Sequence, residues 1–209
     1  MKKKGEGKKP FYKRFWFWVL IIIVIIIAMP KGNDSKSESS TSSKTTQVAK
    51  KAAKKSNVST EFQNSLIKAE SYSSMMHMSK QGIYDQLTSE YGESFSAEAA
   101  QYAIDNLKAN FNKNALKKAK SYSDSEHLSK QGLYDQLSSD SGEKFTTDEA
   151  QYAIDNLKTN YNKNALSKAK SYQKDMNMSL DAVREQLTAD AGEKFTADEA
   201  NYAIQHLND

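Results

Sequence analysis

The chain has 209 residues, of which 38% are hydrophobic, with 8 Gly, 2 Pro and no Cys, and its mean hydropathy is -0.77. These figures exclude a collagen-like chain, a disulfide framework, a Cys-held metal and a thiol nucleophile, and apolar residues recurring at helical spacing favour an all-α fold. The formal charge of +4 is unevenly spread: residues 1 to 63 carry 14 Lys/Arg against 4 Asp/Glu, while residues 64 to 209 carry 16 against 22, so most of the chain is acidic.

Residues 1–10 form a basic tail containing Lys2, Lys3, Lys4, Lys8 and Lys9. Phe15 to Met29, FWFWVLIIIVIIIAM, is an unbroken run of 15 apolar residues, about 22 Å of helix at the usual rise. Adding Phe11 and Tyr12, with Lys13 and Arg14 snorkelling to the headgroups, makes residues 11–29 an expected transmembrane signal anchor with the lipid bilayer as its partner. Phe11, Tyr12, Trp16 and Trp18 are the expected interfacial belt. The excess of Lys and Arg before this segment places the N-terminus in the cytoplasm and the remainder outside the membrane. A cleaved signal peptide shares the basic head and apolar stretch, but Ala28-Met29-Pro30 lacks an A-x-A-like cleavage site.

Residues 30–59 are the expected stalk. The stretch KGNDSKSESSTSSKTTQ has nine Ser/Thr and no bulky apolar residue, so it buries no core and serves as a spacer. VAKKAAKKSNV follows, with Lys50, Lys51, Lys54 and Lys55 at helical spacing. It reads either as a solvated continuation of the stalk or as an adhesive patch for an anionic surface.

The rest of the chain repeats itself with a period of fifty: Tyr72, Tyr122 and Tyr172 recur in register, as do Phe95, Phe145 and Phe195. Residues 64 to 113 agree with 114 to 163 at about 32 of 50 positions, and the copy from Asn164 to Asp209 diverges more, as a terminal unit does. The expected units are 60–113, 114–163 and 164–209. In the second, Leu116, Ala119 and Tyr122 stripe one helix, which Asp124 to His127 should break. Ser129 is the expected N-cap of a second helix, with Leu128 and Leu133 as its hydrophobic staple and Leu137 also facing inward. Gly142, like Gly92 and Gly192, is expected to take a positive φ and end that helix. Thr146-Thr147-Asp148-Glu149 is a capping box, repeated at Thr196 and Glu199, and Phe145 tethers it to the core. Ala150, Ala153, Ile154 and Leu157 form the buried face of a third helix. Asn160 to Asn164 contain no Gly or Pro, so a third helix is free to run into the first helix of the next unit. The fold class is therefore all-α, tandem three-helix, helix-turn-helix-like units behind an anchor and a stalk.

The pattern ALxKAKSYxxxxxxSKQGLYDQLxSxxGExFTxDEAxYAIDNL resembles the Ltp-type repeat of host cell surface-exposed lipoproteins over about 146 of the 209 residues. The resemblance implies helical repeats displayed outside the membrane of Gram-positive bacteria. It also implies superinfection exclusion, as in the phage-encoded members: a block on DNA injection through binding a phage tail component, with the tape-measure protein as partner. The chain departs from the family in having no lipobox cysteine, so the expected transmembrane helix stands in for the lipid anchor. The third copy also departs, with SLDAVREQL in place of SKQGLYDQL, which puts Ala182 and Arg184 where earlier copies have Gly82, Gly132, Tyr84 and Tyr134.

His77, His127 and His206 have no partner ligand at i, i+4 and read as surface residues. No nucleophile elbow, phosphate-binding loop or singular carboxylate pair is present, so the chain reads as a non-enzyme without cofactor, metal or small-molecule substrate. A DNA-binding reading is opposed by the acidity of the repeats and by the expected topology, so nucleic acid is not an expected partner. The expected partner-binding residues are Gln81, Tyr84, Asp85 and Glu93 with their copies Gln131, Tyr134, Asp135 and Glu143, with Gln101 and Gln151 beside them. They read either as a solvated face copied by duplication or as a repeated acidic and aromatic face for a basic or extended segment. A surface or wall-adhesion protein without any phage role is the alternative function.

Overall fold

The computed structural model describes residues 58–209, and the basic tail, the expected anchor and nearly all of the expected stalk lie outside the described residues. No helix among the described residues is long and apolar enough to cross a membrane.

Among the described residues, nine helices form three units of three. In the first unit they are α1 (Thr60–Met76), α2 (Lys80–Thr88) and α3 (Ala97–Asn106), and in the second α4 (Phe111–Ser125), α5 (Lys130–Ser138) and α6 (Thr147–Asn156). The third has α7 (Tyr161–Met176), α8 (Leu180–Thr188) and α9 (Ala197–Gln205). Within each unit the first and third helices pack closely because their contact is lined with small residues, such as Ala115, Ala119, Ala150 and Ala153 in the second unit, all fully buried. The short middle helix lays two aliphatic side chains across this pair: Ile83 and Leu87, Leu133 and Leu137, or Val183 and Leu187. Each such side chain contributes about 1.5–3 kcal/mol by leaving water. With so few of them per unit, contacts between units carry part of the stability.

The caps follow the expected chemistry. Ser129 Oγ accepts from Gly132 N at 2.9 Å, and Thr146 with Glu149, like Thr196 with Glu199, forms a complete capping box. The first unit differs, because Ala99 stands where the later units have Glu149 and Glu199. Its missing carboxylate comes instead from α1, where Glu61 Oε1 accepts from Ser96 N at 3.0 Å and Ser96 Oγ at 2.7 Å. These bonds hold the Glu61 pKa below the usual carboxylate value.

Four expectations are corrected. The buried stripe of α4 is Ala115, Ala119 and Ser123 at i, i+4 spacing, with Leu116 and Tyr122 at its edges. The helix also runs through Asp124 to Ser125 before His127 turns the chain in the left-handed region, φ 53°. His77 does the same in unit one and Asn177 in unit three, a position polar side chains tolerate better than branched ones. Among the described residues no glycine has a positive φ. Ser94, Lys144 and Lys194, two residues beyond each glycine, take that conformation instead.

The glycines serve close approach. A Cβ on Gly142 would lie 2.1 Å from the Gln136 carbonyl oxygen, because the turn folds back onto the end of α5. Finally, α3 and α6 do not run into the next unit. Leu107 and Leu157 close them in extended geometry, and Asn110 and Asn160 start new helices by accepting from Lys113 N and Lys163 N at 2.9 and 3.1 Å. The first helix of a unit thus begins ahead of the 114 and 164 boundaries drawn from spacing.

The first residue of each new helix packs backwards. Phe111 rests against the core of unit one and Tyr161 against that of unit two. The Tyr161 hydroxyl is buried without a hydrogen-bond partner, whereas Phe111 fills the equivalent place with no polar atom. Tyr161→Phe is therefore expected to stabilise the array by about 1 kcal/mol, read as a raised urea midpoint at unchanged slope. A lowered midpoint would show that the hydroxyl is satisfied in solution.

Candidate functional site

The expected partner-binding residues fall into three groups with different surroundings. Glu93 and Glu143, and Glu193 in the third unit, sit in the turn after each middle helix and face back into their own units. Each accepts a hydrogen bond from a tyrosine of the first helix, Tyr72, Tyr122 or Tyr172 respectively. Each also pairs with a lysine of that helix: Lys68 at 2.9 Å, Lys118 at 3.1 Å or Lys168 at 3.2 Å. Burial acts to raise the Glu93 pKa, but the Tyr72 hydrogen bond and Lys68 outweigh it and leave the carboxyl below its usual range. The tyrosines move upward. Burial, then the hydrogen bond and charge of Glu93, push Tyr72 from the usual 10 to about 12. Burial and the neighbouring glutamate raise Tyr122 and Tyr172 as well.

A phenol harder to ionise in the folded than in the unfolded chain contributes stability that is present below pH 10 and lost as pH rises through its folded value. An alkaline titration is expected to keep the helical circular-dichroism signal up to about pH 10 and lose it by about pH 12. The phenolate absorbance of these three tyrosines should appear together with that loss. Their ionisation in a fully helical array would contradict the bracing role of the Tyr–Glu–Lys sets.

The braced turn presents its backbone to the preceding unit. Ser79 is fully buried and its hydroxyl acts twice, accepting from Gly82 N at 3.0 Å and donating to the Glu143 carbonyl at 2.5 Å. Ser129 repeats this toward Glu193 at 2.5 Å. Sequence reasoning identifies Ser129 only as a cap. The second bond of each serine leaves no local signature, because its acceptor lies 64 residues away.

Asp85 and Asp135 form the second group. They pair across the same junctions with Lys144 and Lys194, the latter at 2.5 Å, with side chains a third or so exposed. One buried asparagine completes the polar seam of each junction. Asn114 Nδ2 donates to Ser73 Oγ at 2.9 Å and to the Met78 carbonyl at 3.1 Å, and Asn164 does likewise with Ser123 and Leu128.

The third group, Gln81, Tyr84, Gln131 and Tyr134 with the neighbouring Gln101 and Gln151, makes no hydrogen bond or ion pair between units. Gln131 and Gln151 lie on the exposed faces of α5 and α6, and each donates Nε2 to an aspartate of its own helix at 2.8 Å. Between them lies an open groove of about 390 Å³ floored by Tyr134 and Ile154. The third unit contributes Lys194, Thr196 and Glu199 to its lining. The structure thus brings Gln131 and Tyr134 to one groove, with Asp135 tied to a lysine that lines it, and leaves Glu143 out of it. Among the described residues, no group of three or more His, Cys, Asp or Glu is placed to hold a metal ion.

No curated protein matches the sequence. A solved structure described as that of Ltp, a superinfection exclusion protein from the Streptococcus thermophilus temperate phage TP-J34, is similar to this chain at 41% identity. The similarity spans 49% of this chain and 100% of that one, with a TM-score of 0.45. The family described as host cell surface-exposed lipoprotein (Ltp) matches residues 60–107, 110–157 and 160–207, the three units seen in the fold, and the chain belongs to that family.

Proposed function

We propose that this chain is a membrane-tethered superinfection-exclusion protein that acts outside the cytoplasm, binding a phage tail component and blocking DNA injection. The observation that carries the reading is the presence of three tandem units of a surface-exposed lipoprotein family, joined in one array. In this reading residues 11–29 anchor the chain, residues 30–59 hold the array off the bilayer, and the phage tape-measure protein is the partner. The charge distribution supports it. The lysines cluster ahead of the apolar run, as the positive-inside rule requires for an outward-facing C-terminus, and the array itself is acidic and unsuited to a duplex.

The partner-binding face, again in this reading, is the repeated set around Gln81, Tyr84, Asp85 and Glu93 and their copies. The aspartates of that set also pair across the junctions and its glutamates brace their own units, so the glutamines and tyrosines are its more available members. A charge reversal at Asp85 or Asp135 therefore tests the junction and the partner at once and separates neither.

The direct test expresses the full chain and a version lacking residues 1–30 in a susceptible Gram-positive host, and measures phage adsorption and intracellular phage DNA separately. Normal adsorption with DNA entry blocked only by the anchored form is the expected result. Normal DNA entry with both forms, across several phages, would leave surface adhesion as the better reading.

A further inference from the structure

The groove between units two and three is lined partly by residues with no task in the junction. Lys130, Gln131 and Gln151 make no hydrogen bond or ion pair with the third unit, and the bonds of the two glutamines stay within their own helices. Yet the first junction has the same residues at the matching places, Lys80, Gln81 and Gln101, and the floor pair Tyr134 and Ile154 recurs as Tyr84 and Ile104. Among the described residues no unit packs on the third to close such a groove. There the positions read Leu180, Asp181, Asn201 and Arg184, and only Ile204 is kept.

Helix formation does not explain the difference, because α8 and α9 form with the altered residues. Within a third copy that diverges more as a whole, the residue types at these places persist in the two units that a following unit packs on and change in the third.

We propose that each unit junction is a composite binding site for an extended polypeptide segment, so that this three-unit array carries two sites and not three. The proposal rests on the exclusion reading only for the identity of the partner. The chemistry favours main chain as the ligand. Gln131 and Gln151 direct Nε2 to their own aspartates, which leaves each Oε1 as an acceptor for a backbone N–H of a strand-like segment. Tyr134 and Ile154 below offer an aromatic and an aliphatic surface for its side chains. The charges that the third unit brings to the groove are already occupied: Lys194 pairs with Asp135, and Glu199 accepts in the capping box of α9. An open groove with its ions paired suits a neutral extended backbone better than an enclosed small molecule. Two such sites in one chain add avidity for a partner long enough to engage both.

The test uses the full chain in lipid nanodiscs and, as probe, overlapping fragments of the tape-measure protein of a phage that the chain excludes. Gln101→Arg with Gln151→Arg places a long side chain in both proposed sites from α3 and α6, at positions that make no hydrogen bond or ion pair between units. It is expected to weaken fragment binding about tenfold, the size of one or two lost hydrogen bonds. Asn201→Arg makes the matching change on the third unit and is expected to leave affinity within about twofold. Should the arginine pair perturb the helices by circular dichroism, Gln81→Ala with Gln131→Ala truncates the facing carboxamides and is expected to act in the same direction.

Equal weakening by Asn201→Arg, or no weakening by either glutamine pair, overturns the composite sites while leaving exclusion intact. A wild-type chain that blocks DNA entry yet binds none of the fragments does the same. A wild-type chain that neither binds fragments nor blocks DNA entry overturns the exclusion reading and this proposal with it.

Discussion

Gly142→Ala is expected to destabilise the array by about 3 kcal/mol, although alanine is the better helix former and Gly142 has no positive φ to protect. The added Cβ would lie 2.1 Å from the Gln136 carbonyl oxygen and 2.7 Å from Ser139 Oγ. That carbonyl also accepts from Glu143 N at 2.9 Å, so it has no freedom to swing aside. Relief requires the whole turn to lift from the end of α5. The turn carries Glu143, whose carbonyl receives the Ser79 hydroxyl, and Lys144, which pairs with Asp85.

The strain therefore spreads into the junction with unit one. Gly92→Ala makes a similar clash, 2.3 Å from the Gln86 carbonyl. The turn of unit one has no preceding unit to hold, so Gly92→Ala should cost less. The difference between the two, read from urea midpoints, measures what the junction contributes. A loss under about 0.5 kcal/mol for Gly142→Ala would mean that the turn relaxes freely and the account of its glycine is wrong.

The second large effect is expected at Asn164. Replacing this buried asparagine by leucine of similar size removes both bonds that Nδ2 makes, to Ser123 Oγ at 3.1 Å and to the Leu128 carbonyl at 3.0 Å. The acceptors are left in a part-buried seam, at a cost of about 2 kcal/mol. The unfolding transition should also broaden, because the third unit then melts partly on its own. Asn64 is the same residue at the same place in unit one, but it is exposed, with no unit before it. Asn64→Leu is expected to change stability by less than about 0.5 kcal/mol. Equal losses at 64 and 164 would show that the asparagine acts within its own helix and not across the junction. If the junctions also shape the partner sites, Asn164→Leu should weaken protection against phage more than its loss of stability alone explains.

The helices themselves were legible in the sequence because their signals are local. Ser129, Thr146 and Glu149 cap within three residues of the groups they bind, and Leu133 and Leu137 lie one turn apart, so spacing alone identifies them. The glycines were misread for a related reason. A glycine after a helix most often takes a left-handed conformation, and the observation that Lys144 takes it instead depends on how closely the turn approaches the Gln136 carbonyl. The expected run of the third helix into the next unit failed because Asn160 is a strong cap, and a cap at that point outweighs the absence of Gly and Pro.

The acidic face shows the limit more sharply. Recurrence every fifty residues marks Asp85 and Asp135, or Glu93 and Glu143, without indicating whether the recurrence serves a partner or the array. Lys144 lies 59 residues from Asp85 in sequence and becomes its neighbour only when the second unit docks on the first. The same docking explains the exceptions at the ends: Ser94 stands where later units have Lys144 and Lys194, and Glu61 where they have Phe111 and Tyr161. Among the described residues, no unit precedes the first for these positions to pair with or pack upon.

Sequence by itself determined the all-α class, the period, the caps and the core of each unit, because hydrophobic spacing and capping act over a single turn of helix. Tertiary structure alone decided which repeated polar residues join the units, and which are left facing the groove between them. That choice depends on contacts tens of residues apart, whose energy exists only once neighbouring units have excluded water from the seam between them.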